Sequence, residues 1–202
     1  MTMTPEQVDL LKELINIGIG RAAGILNAML HSRVLLQVPF IEAISPLALK
    51  EKQQGMGKET LSSVQLAFKG PFSGTASLVF PEESAAKLVG VLTDDELSPP
   101  DLDSIRAGAL AEIGNIVLNG VMGAISNEIE QRIYYSVPRY VENPIQVLLT
   151  PNDPNLDATV IWVQAQFTIE QHQIDGDIIL LFEVGSFDML LTALDQRMEN
   201  LL

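Results

Sequence analysis

The chain has 202 residues, of which 47% are apolar and 19% are charged, and its formal net charge at pH 7 is −14. This composition can form one large domain or two small ones with a sizeable core. The negative charge disfavours nucleic acids and anionic membranes as partners, because both require a positive surface patch. Since the sequence contains no cysteine, disulfides, thiol nucleophiles and thiolate zinc sites are excluded.

The two histidines, His31 and His172, are too far apart in the sequence to suggest a catalytic triad or a histidine-rich metal site. We expect His31 to be a surface residue at a helix end and His172 to be a turn residue. The first residues lack the basic and apolar segments of a signal peptide. The apolar stretches also fall short of the about 20 residues that a membrane span requires, so we expect a cytoplasmic protein.

The first half of the chain predicts a long helix followed by three strands and a short helix. Thr4 is the expected N-cap, Pro5 lies in the first turn and Gln7 completes a capping box, and the helical pattern continues to about Leu30. Alternating apolar residues and turn signals then predict strands over 33–39, 61–69 and 74–80, and a helix over 81–92. A polar, proline-ended linker follows over 94–100.

The second half repeats this order with a period near 100 residues. A long helix is predicted over 102–128, strands over 132–140, 158–169 and 177–182, and a helix over 186–198. Neither half buries a sheet alone. We therefore expect residues 1–202 to form a single two-layer α+β domain made of two repeats, about 1–95 and 96–202. Its continuous sheet should have about six strands, with the two long helices related by a pseudo-twofold axis.

The two long helices are predicted to have one apolar side and one side of polar and small residues, at about 100° per residue. The apolar residues of the first helix are Leu11, Leu14, Ile15, Ala22, Ile25, Leu26 and Met29. Its opposite side carries Asp9, Glu13, Asn16, Gly20, Ala23, Gly24 and Asn27. The apolar residues of the second helix are Leu110, Ile113, Val117, Val121 and Ile125. Its opposite side carries Gly108, Glu112, Asn115, Asn119 and Gly123.

The outward sides differ from an ordinary solvated surface, which would carry long charged side chains. Gly20, Gly24 and Gly123 each cost the helix about 1 kcal/mol relative to alanine. Small residues on an exposed side allow another backbone to approach, which indicates a docking surface. The glycines nearer the packed side are expected to permit close helix packing; these are Gly18, Gly114 and Gly120.

A nucleotide-binding interpretation of the segment from Gly18 to Gly24 is disfavoured. Its glycines resemble a dinucleotide fingerprint, but the last is one residue too far along. The fingerprint also needs a preceding strand and a helix that opens at the glycines. Here a capped helix already runs through the segment.

One polar motif occurs once in each long helix and continues to a proline beyond it. The two copies read Asp9-x3-Glu13-x2-Asn16-x22-Pro39 and Gly108-x3-Glu112-x2-Asn115-x22-Pro138. This pattern resembles the signature of the CheC, CheX and FliY family of chemotaxis phosphatases, which is Asp or Ser, then Glu, then Asn, then Pro. Two copies are typical of CheC-type members, whereas CheX has one copy and FliY carries an additional flagellar-switch domain. The second copy departs from the signature at Gly108.

The resemblance implies an α/β fold with an antiparallel sheet and the long helices on its surface. It also implies that the substrate is a phosphorylated CheY-like response regulator, and that the catalytic residues are Glu13, Asn16, Glu112 and Asn115. No cofactor of its own is expected, since the magnesium ion belongs to the regulator. The deamidase CheD is a candidate regulatory partner.

The residue types suit this chemistry, because an aspartyl phosphate is already activated and chiefly needs a positioned water. An amide such as Asn16 or Asn115 can orient that water, and Glu13 or Glu112 can pair with the regulator's lysine. The alternative is a non-catalytic module that binds a regulator or forms part of a flagellar switch. The middle domain of the switch protein FliM resembles such a module. The retained Glu and Asn residues favour the phosphatase.

Overall fold

The computed structural model describes residues 3–48, 60–93, 102–144, 159–169 and 172–200. Helices and strands follow one another in the order α1 (Pro5–Leu30), β1 (Val34–Ile44), β2 (Thr60–Lys69), β3 (Gly74–Pro81), α2 (Glu82–Thr93), α3 (Leu102–Glu128), β4 (Tyr134–Tyr135), β5 (Arg139–Pro144), β6 (Thr159–Ile169), β7 (His172–Phe182) and α4 (Ser186–Glu199). The predicted mixture of helices and antiparallel strands is confirmed. The predicted linker at 94–100 lies outside the described residues.

The two long helices begin and end through local interactions. The N–H of Gln7 donates to Thr4 Oγ1 at 3.2 Å, and Gln7 Oε1 accepts from the N–H of Thr4 at 2.9 Å, which confirms the predicted capping box. Two non-glycine residues of the described chain have a positive φ, and each follows a long helix: His31 at 50° and Glu130 at 54°. His31 is exposed at the end of α1, as predicted.

The seven strands form one antiparallel sheet in the order β1-β6-β7-β3-β2-β4, with β5 also paired to β2. Each edge strand lies beside a strand of the other half, β1 beside β6 and β5 beside β2, and β3 pairs with β7 at the centre. Exchanging the two halves leaves this order unchanged. A pseudo-twofold axis would produce this arrangement; the axis and the division into two repeats stay predictions.

Proline lies at the break in one edge strand and at a register shift in the other, and one strand prediction was wrong. The segment predicted as a strand over 132–140 is divided into β4 and β5, with Val137-Pro138 between them. At the opposite edge, the register of β1 shifts between Gln37 and Phe40, on either side of Pro39. Proline has no N–H for a ladder hydrogen bond and is therefore tolerated at edges and bulges. The division accounts for seven strands where six were expected.

A second correction concerns the hairpin formed by β6 and β7. The strand predicted from Asp177 begins earlier, because His172 pairs with Ile169 and the ladder is continuous from there. His172 is thus a strand residue and not the predicted turn residue. The longer ladder extends the centre of the sheet on which α1 and α3 pack.

The helices α1 and α3 cross in backbone contact. A Cβ added to Gly18 would lie 2.5 Å from the carbonyl oxygen of Gly120, and one added to Gly120 would lie 2.7 Å from that of Gly18. Gly114 packs against Val64, whose Cβ would lie 2.4 Å from an added Cβ. The predicted role of these glycines in close packing is confirmed. Ile25 was wrongly assigned to the core, since 55% of its surface is exposed.

The helix α3 is apolar on most sides. Contrary to the sequence-based expectation, its segment Ser104–Glu128 is long and apolar enough to span a membrane by length and composition alone. Half of its most apolar 18-residue stretch is buried inside the protein, where α3 contacts α1 and strands β2 and β3. Burial in the core accounts for this composition, so the segment is weak evidence for a membrane span.

The glycine contact predicts opposite effects of alanine at two positions of α1. Gly18→Ala should lower the free energy of unfolding by about 1–3 kcal/mol, because the new methyl group overlaps the backbone of α3. Gly24→Ala is the matched control, since no atom lies within 4 Å of an added Cβ there. It should raise the free energy of unfolding by up to about 1 kcal/mol through helix propensity. Urea denaturation measures the free energy of unfolding of both variants. Equal changes in this free energy would contradict the close crossing of α1 and α3.

The sheet face opposite the helices carries a small apolar cluster and one half-buried acid. Val79, Val160, Trp162 and Ile179 are buried there. Asp177 lies on the same face of β7 as Ile179, and burial raises its pKa to about 6, while a hydrogen bond from Trp162 acts in the opposite direction. Because the folded pKa exceeds the unfolded value of 3.8, this group stabilises the protein at low pH and loses that contribution as the pH rises through 6.

Asp177→Asn should therefore remove a pH dependence. At pH 7.5 the variant should be more stable than the wild type, by a free energy of unfolding on the order of 1–3 kcal/mol. The amide cannot ionise, yet its oxygen can still accept from the indole. The difference in free energy of unfolding between the two proteins should narrow as the pH is lowered towards 5, because the wild-type carboxyl then becomes protonated in the folded state. Urea titrations of both proteins across this range provide the test, and a constant gap would contradict it.

Candidate functional site

The two Glu/Asn pairs lie on the exposed sides of α1 and α3. Glu13, Asn16, Glu112 and Asn115 are all exposed. Within each pair the residues are three positions apart and therefore neighbours on one helical face. The predicted exposure is confirmed, while the catalytic role of these residues stays a prediction.

Burial of the adjacent residues fixes the direction in which each pair points. Leu14 and Ile15 lie between Glu13 and Asn16, and both are at most 2% exposed. In α3 the corresponding residues are Ile113 and Gly114, which are also buried. Because these inner residues are held against the core, the polar pairs are presented to solvent by a rigid backbone.

Small residues surround both pairs, as the sequence predicted. A Cβ added to Gly20, Gly24, Gly108 or Gly123 would meet no atom within 4 Å. These glycines therefore face open space, in contrast to Gly18, Gly114 and Gly120. The exposed sides of α1 and α3 leave room for the close approach of another molecule.

One exposed apolar residue on α1 was not predicted from the sequence. Ile17 is 39% exposed. It lies four residues after Glu13 and three before Gly20, hence on the same helical face. Its equivalent on α3, Ile116, is only partly exposed. Isoleucine is usually buried, so the residue type alone does not predict exposure. The spacing of Ile17 from Glu13 was the signal that could have predicted it.

The pairs also differ in their charged and polar neighbours. On α1, Asp9 precedes Glu13 by one turn, whereas Gly108 occupies the corresponding place before Glu112. On α3, Asn119 Nδ2 donates to Asn115 Oδ1 at 2.5 Å. The residue of α1 that corresponds to Asn119 is Gly20. The two motifs are therefore equivalent in backbone position but not in side-chain environment.

Asn27, which was predicted on the outward side of α1, has a structural contact. Its Oδ1 accepts a hydrogen bond from the N–H of Val34, the first residue of β1. At the corresponding place in α3, Ser126 Oγ donates to the carbonyl oxygen of Gln131 at 2.5 Å. Each contact ties a long helix to the segment after it, which leads to the edge-strand proline.

The described part of the chain contains no group of three or more His, Asp or Glu side chains arranged to hold a metal ion. The side chains of the two motifs themselves are carboxylates and carboxamides. Such groups donate and accept hydrogen bonds and can orient a water molecule. This donor and acceptor set matches the predicted chemistry of positioning rather than nucleophilic attack by a side chain.

The fold is that of the CheC, CheX and FliY family of chemotaxis proteins, to which sequence and structural comparisons both relate this chain. The sequence is 24% identical over 197 residues to the CheY-P phosphatase CheC of Bacillus subtilis, and the alignment covers 94% of each protein. No family model matches the sequence.

Solved structures share this fold over most of the chain. The crystal structure of FliY from Thermotoga maritima superposes with a TM-score of 0.76 at 19% identity, covering 98% of this chain and 100% of the FliY chain in that structure. The middle domain of FliM from H. pylori gives 0.66 at 15% identity, with coverages of 95% and 99%. The CheX-CheY-BeF3-Mg²⁺ complex of Borrelia burgdorferi gives 0.54 at 16% identity, with coverages of 84% and 97%.

Two asparagines of α1 should respond differently to alanine. Asn16→Ala should change the free energy of unfolding by no more than about 0.5 kcal/mol, because the side chain is exposed. Asn27→Ala should lower it by about 1–2 kcal/mol, because the N–H of Val34 loses its acceptor. Both substitutions exchange the same residue types in the same helix, so helix propensity cancels. Urea denaturation gives the values, and equal losses would contradict the assignment of Asn27 as a structural residue.

Proposed function

We propose that this protein is a phosphatase of chemotaxis signalling that stimulates hydrolysis of the aspartyl phosphate on a CheY-like response regulator. The observation that carries this proposal is the pair of exposed Glu-x-x-Asn motifs on matched, rigidly packed helices. Similarity to a CheY-P phosphatase over 94% of the chain supports it. The site of action would be the cytoplasm, where response regulators act.

Catalysis would consist of positioning a water molecule. The water oxygen attacks phosphorus in line with the bond to the regulator's aspartate. As the new P–O bond forms, the bond to the aspartate carboxylate breaks, which releases inorganic phosphate and leaves the carboxylate free. Asn16 or Asn115 would accept a hydrogen bond from the water and hold it at the angle of attack. The asparagine side chain is exposed and short, so it can enter a shallow site.

The glutamates would serve docking. Glu13 or Glu112 can form a charge-assisted hydrogen bond with the lysine of the regulator's phosphorylation site. Charge on the transferring group is stabilised by the regulator's own magnesium ion and lysine, so we propose no cofactor for this chain. The open glycine positions, such as Gly20 and Gly123, allow the regulator's backbone to approach the helix.

A related structure supports the choice of partner. The CheX-CheY-BeF3-Mg²⁺ complex of Borrelia burgdorferi shares the fold of this chain and contains CheY together with CheX. We therefore propose a phosphorylated CheY-like protein as the partner here. CheD remains a proposed regulatory partner that rests on the family resemblance alone.

The second candidate function is a non-catalytic binding module. The FliM middle domain has the same fold, and a FliG-FliM complex of H. pylori is among the similar structures. Such a module would bind a partner without turnover. The two exposed Glu/Asn pairs favour the phosphatase, because binding alone does not require an amide at the same place in both helices.

Single and double amide variants test the proposal. Asn16→Ala should leave the site on α3 active, and Asn115→Ala should leave the site on α1 active. The double variant should reduce phosphate release to the regulator's own unstimulated rate. Since the water is positioned chiefly for the transition state, kcat should fall more than KM rises. The measurement is loss of phosphate from a labelled CheY-like regulator.

Two controls keep this test clear. The unfolding midpoint of each variant should equal that of the wild type, because both asparagines are exposed. Binding of the regulator by the double variant should persist, as measured by titration with a stable phosphoryl mimic. Full stimulated hydrolysis in the double variant would refute the assignment of the amides. Regulator binding by the wild type without any stimulated hydrolysis would favour the non-catalytic module.

A further inference from the structure

A hydrogen bond between two exposed amides distinguishes the site on α3 from the site on α1. Asn119 Nδ2 lies 2.5 Å from Asn115 Oδ1, one helical turn apart. Both side chains are exposed, so this contact does not hold the core together. In α1 the corresponding position is Gly20, which has no side chain to donate such a hydrogen bond to Asn16.

The contact orients the carboxamide of Asn115. A carboxamide has an acceptor end and a donor end, and an exposed one rotates freely about its last torsion. The N–H of Asn119 selects the orientation in which Oδ1 points along the helix towards Asn119. One lone pair of Oδ1 and both N–H groups of Asn115 remain available. A hydrogen bond to the oxygen also polarises the amide and strengthens its N–H groups as donors.

We propose that Asn119 is a positioning residue for the reaction at the α3 site, an inference that rests on the proposed function. It holds Asn115 so that the free lone pair of Oδ1 accepts from the attacking water and an N–H faces a phosphoryl oxygen. The ordering entropy of this side chain is then lost before the regulator docks rather than in the transition state. Asn119 touches neither water nor phosphate and acts only through Asn115.

The catalytic amide would therefore be ordered by a different contact at each of the two sites. On α1, Asn16 becomes ordered only when the regulator docks, and the site has Asp9 and the apolar Ile17 beside it. On α3, Gly108 offers no carboxylate, and Asn119 provides order within the helix instead. A substitution at position 119 should therefore change turnover at one site alone.

The experiment uses the Asn16→Ala protein, in which only the α3 site is active. Adding Asn119→Ala should lower kcat roughly three- to tenfold and leave KM within about twofold, because orientation matters chiefly for the transition state. Adding Asn127→Ala instead is the matched control: this asparagine is exposed in the same helix, away from the motif, and should leave kcat unchanged. In the Asn115→Ala protein, Asn119→Ala should have no effect on the remaining site.

The Asn119→Asp variant distinguishes a role of Asn119 in orienting the Asn115 carboxamide from a role in packing alone. Aspartate has the shape of asparagine but no N–H, so Asn115 must turn its donor end towards it and its oxygen away. The loss of kcat should therefore equal or exceed that of Asn119→Ala, whereas a packing role predicts that aspartate retains more activity. Salt distinguishes charge repulsion from a turned carboxamide, because salt screens repulsion between exposed charges. The kcat deficit of the aspartate variant should persist at high salt.

The failures of the two proposals have different signatures. If Asn16→Ala/Asn119→Ala retains the kcat of Asn16→Ala, the positioning role of Asn119 is refuted and the phosphatase stands. If Asn16→Ala/Asn115→Ala is as active as Asn16→Ala, the amides do not catalyse, and both proposals are refuted. A shift of the Asn115 side-chain amide resonances on Asn119→Ala would support the hydrogen bond in solution independently of turnover, and unchanged resonances would overturn it.

Discussion

The backbone contact between α1 and α3 is the constraint on which the rest of the structure depends. Gly18 and Gly120 allow the two helices to approach without side chains between them. At this distance both helices place their apolar sides on a single sheet, and neither can rotate without overlap. Asn16 lies two residues before Gly18, and Asn115 lies five residues before Gly120. Their outward direction is therefore set by the close contact between the two helix backbones.

The proposed chemistry suits this rigidity. Hydrolysis of an acyl phosphate asks little reactivity of a partner protein, but it requires an amide at a defined place. A side chain on a firmly packed helix meets that requirement better than one on a loop. The surrounding residues differ between the sites, with Asp9 and Ile17 beside one and Asn119 beside the other. The same backbone arrangement thus allows an exposed amide to be ordered in two different ways.

Much of the fold was predictable because it depends on local signals. The capping box at Thr4 and Gln7 follows from the residue types at a helix start, and the limits of α3 and the division of glycines into packed and open positions follow from helical periodicity. The break at Val137-Pro138 was missed, since strand continuity depends on hydrogen bonds with a distant strand. Ile25 was misplaced because periodicity gives a helical side but not which element covers it. The hydrogen bond from Gln7 to Asp195 places α4 beside the first turn of α1, and Ile25 lies near the other end of that helix.

The candidate site was predictable in position but not in detail. The motif spacing identified the four polar residues, and their exposure followed from the apolar stripes. The contact between Asn119 and Asn115 depends on side-chain torsions, which a helical projection does not specify. The same applies to Asn27, whose partner Val34 belongs to the next element. Sequence patterns thus located the surface, and three-dimensional structure distinguished which of its amides are free.

The matched helix ends carry a consequence for how the chain tolerates changes in length. His31 and Glu130 are 99 residues apart, as are Pro39 and Pro138 and the first residues of β2 and β6. The offset is 102 residues between Gly74 and Gly176, within the following hairpins. The number of residues from each long helix to the next hairpin is thus the same in both halves, while the spacing within the two hairpins differs. A residue inserted within a hairpin should therefore be tolerated better than one placed between helix and edge strand, which would alter the register of the sheet.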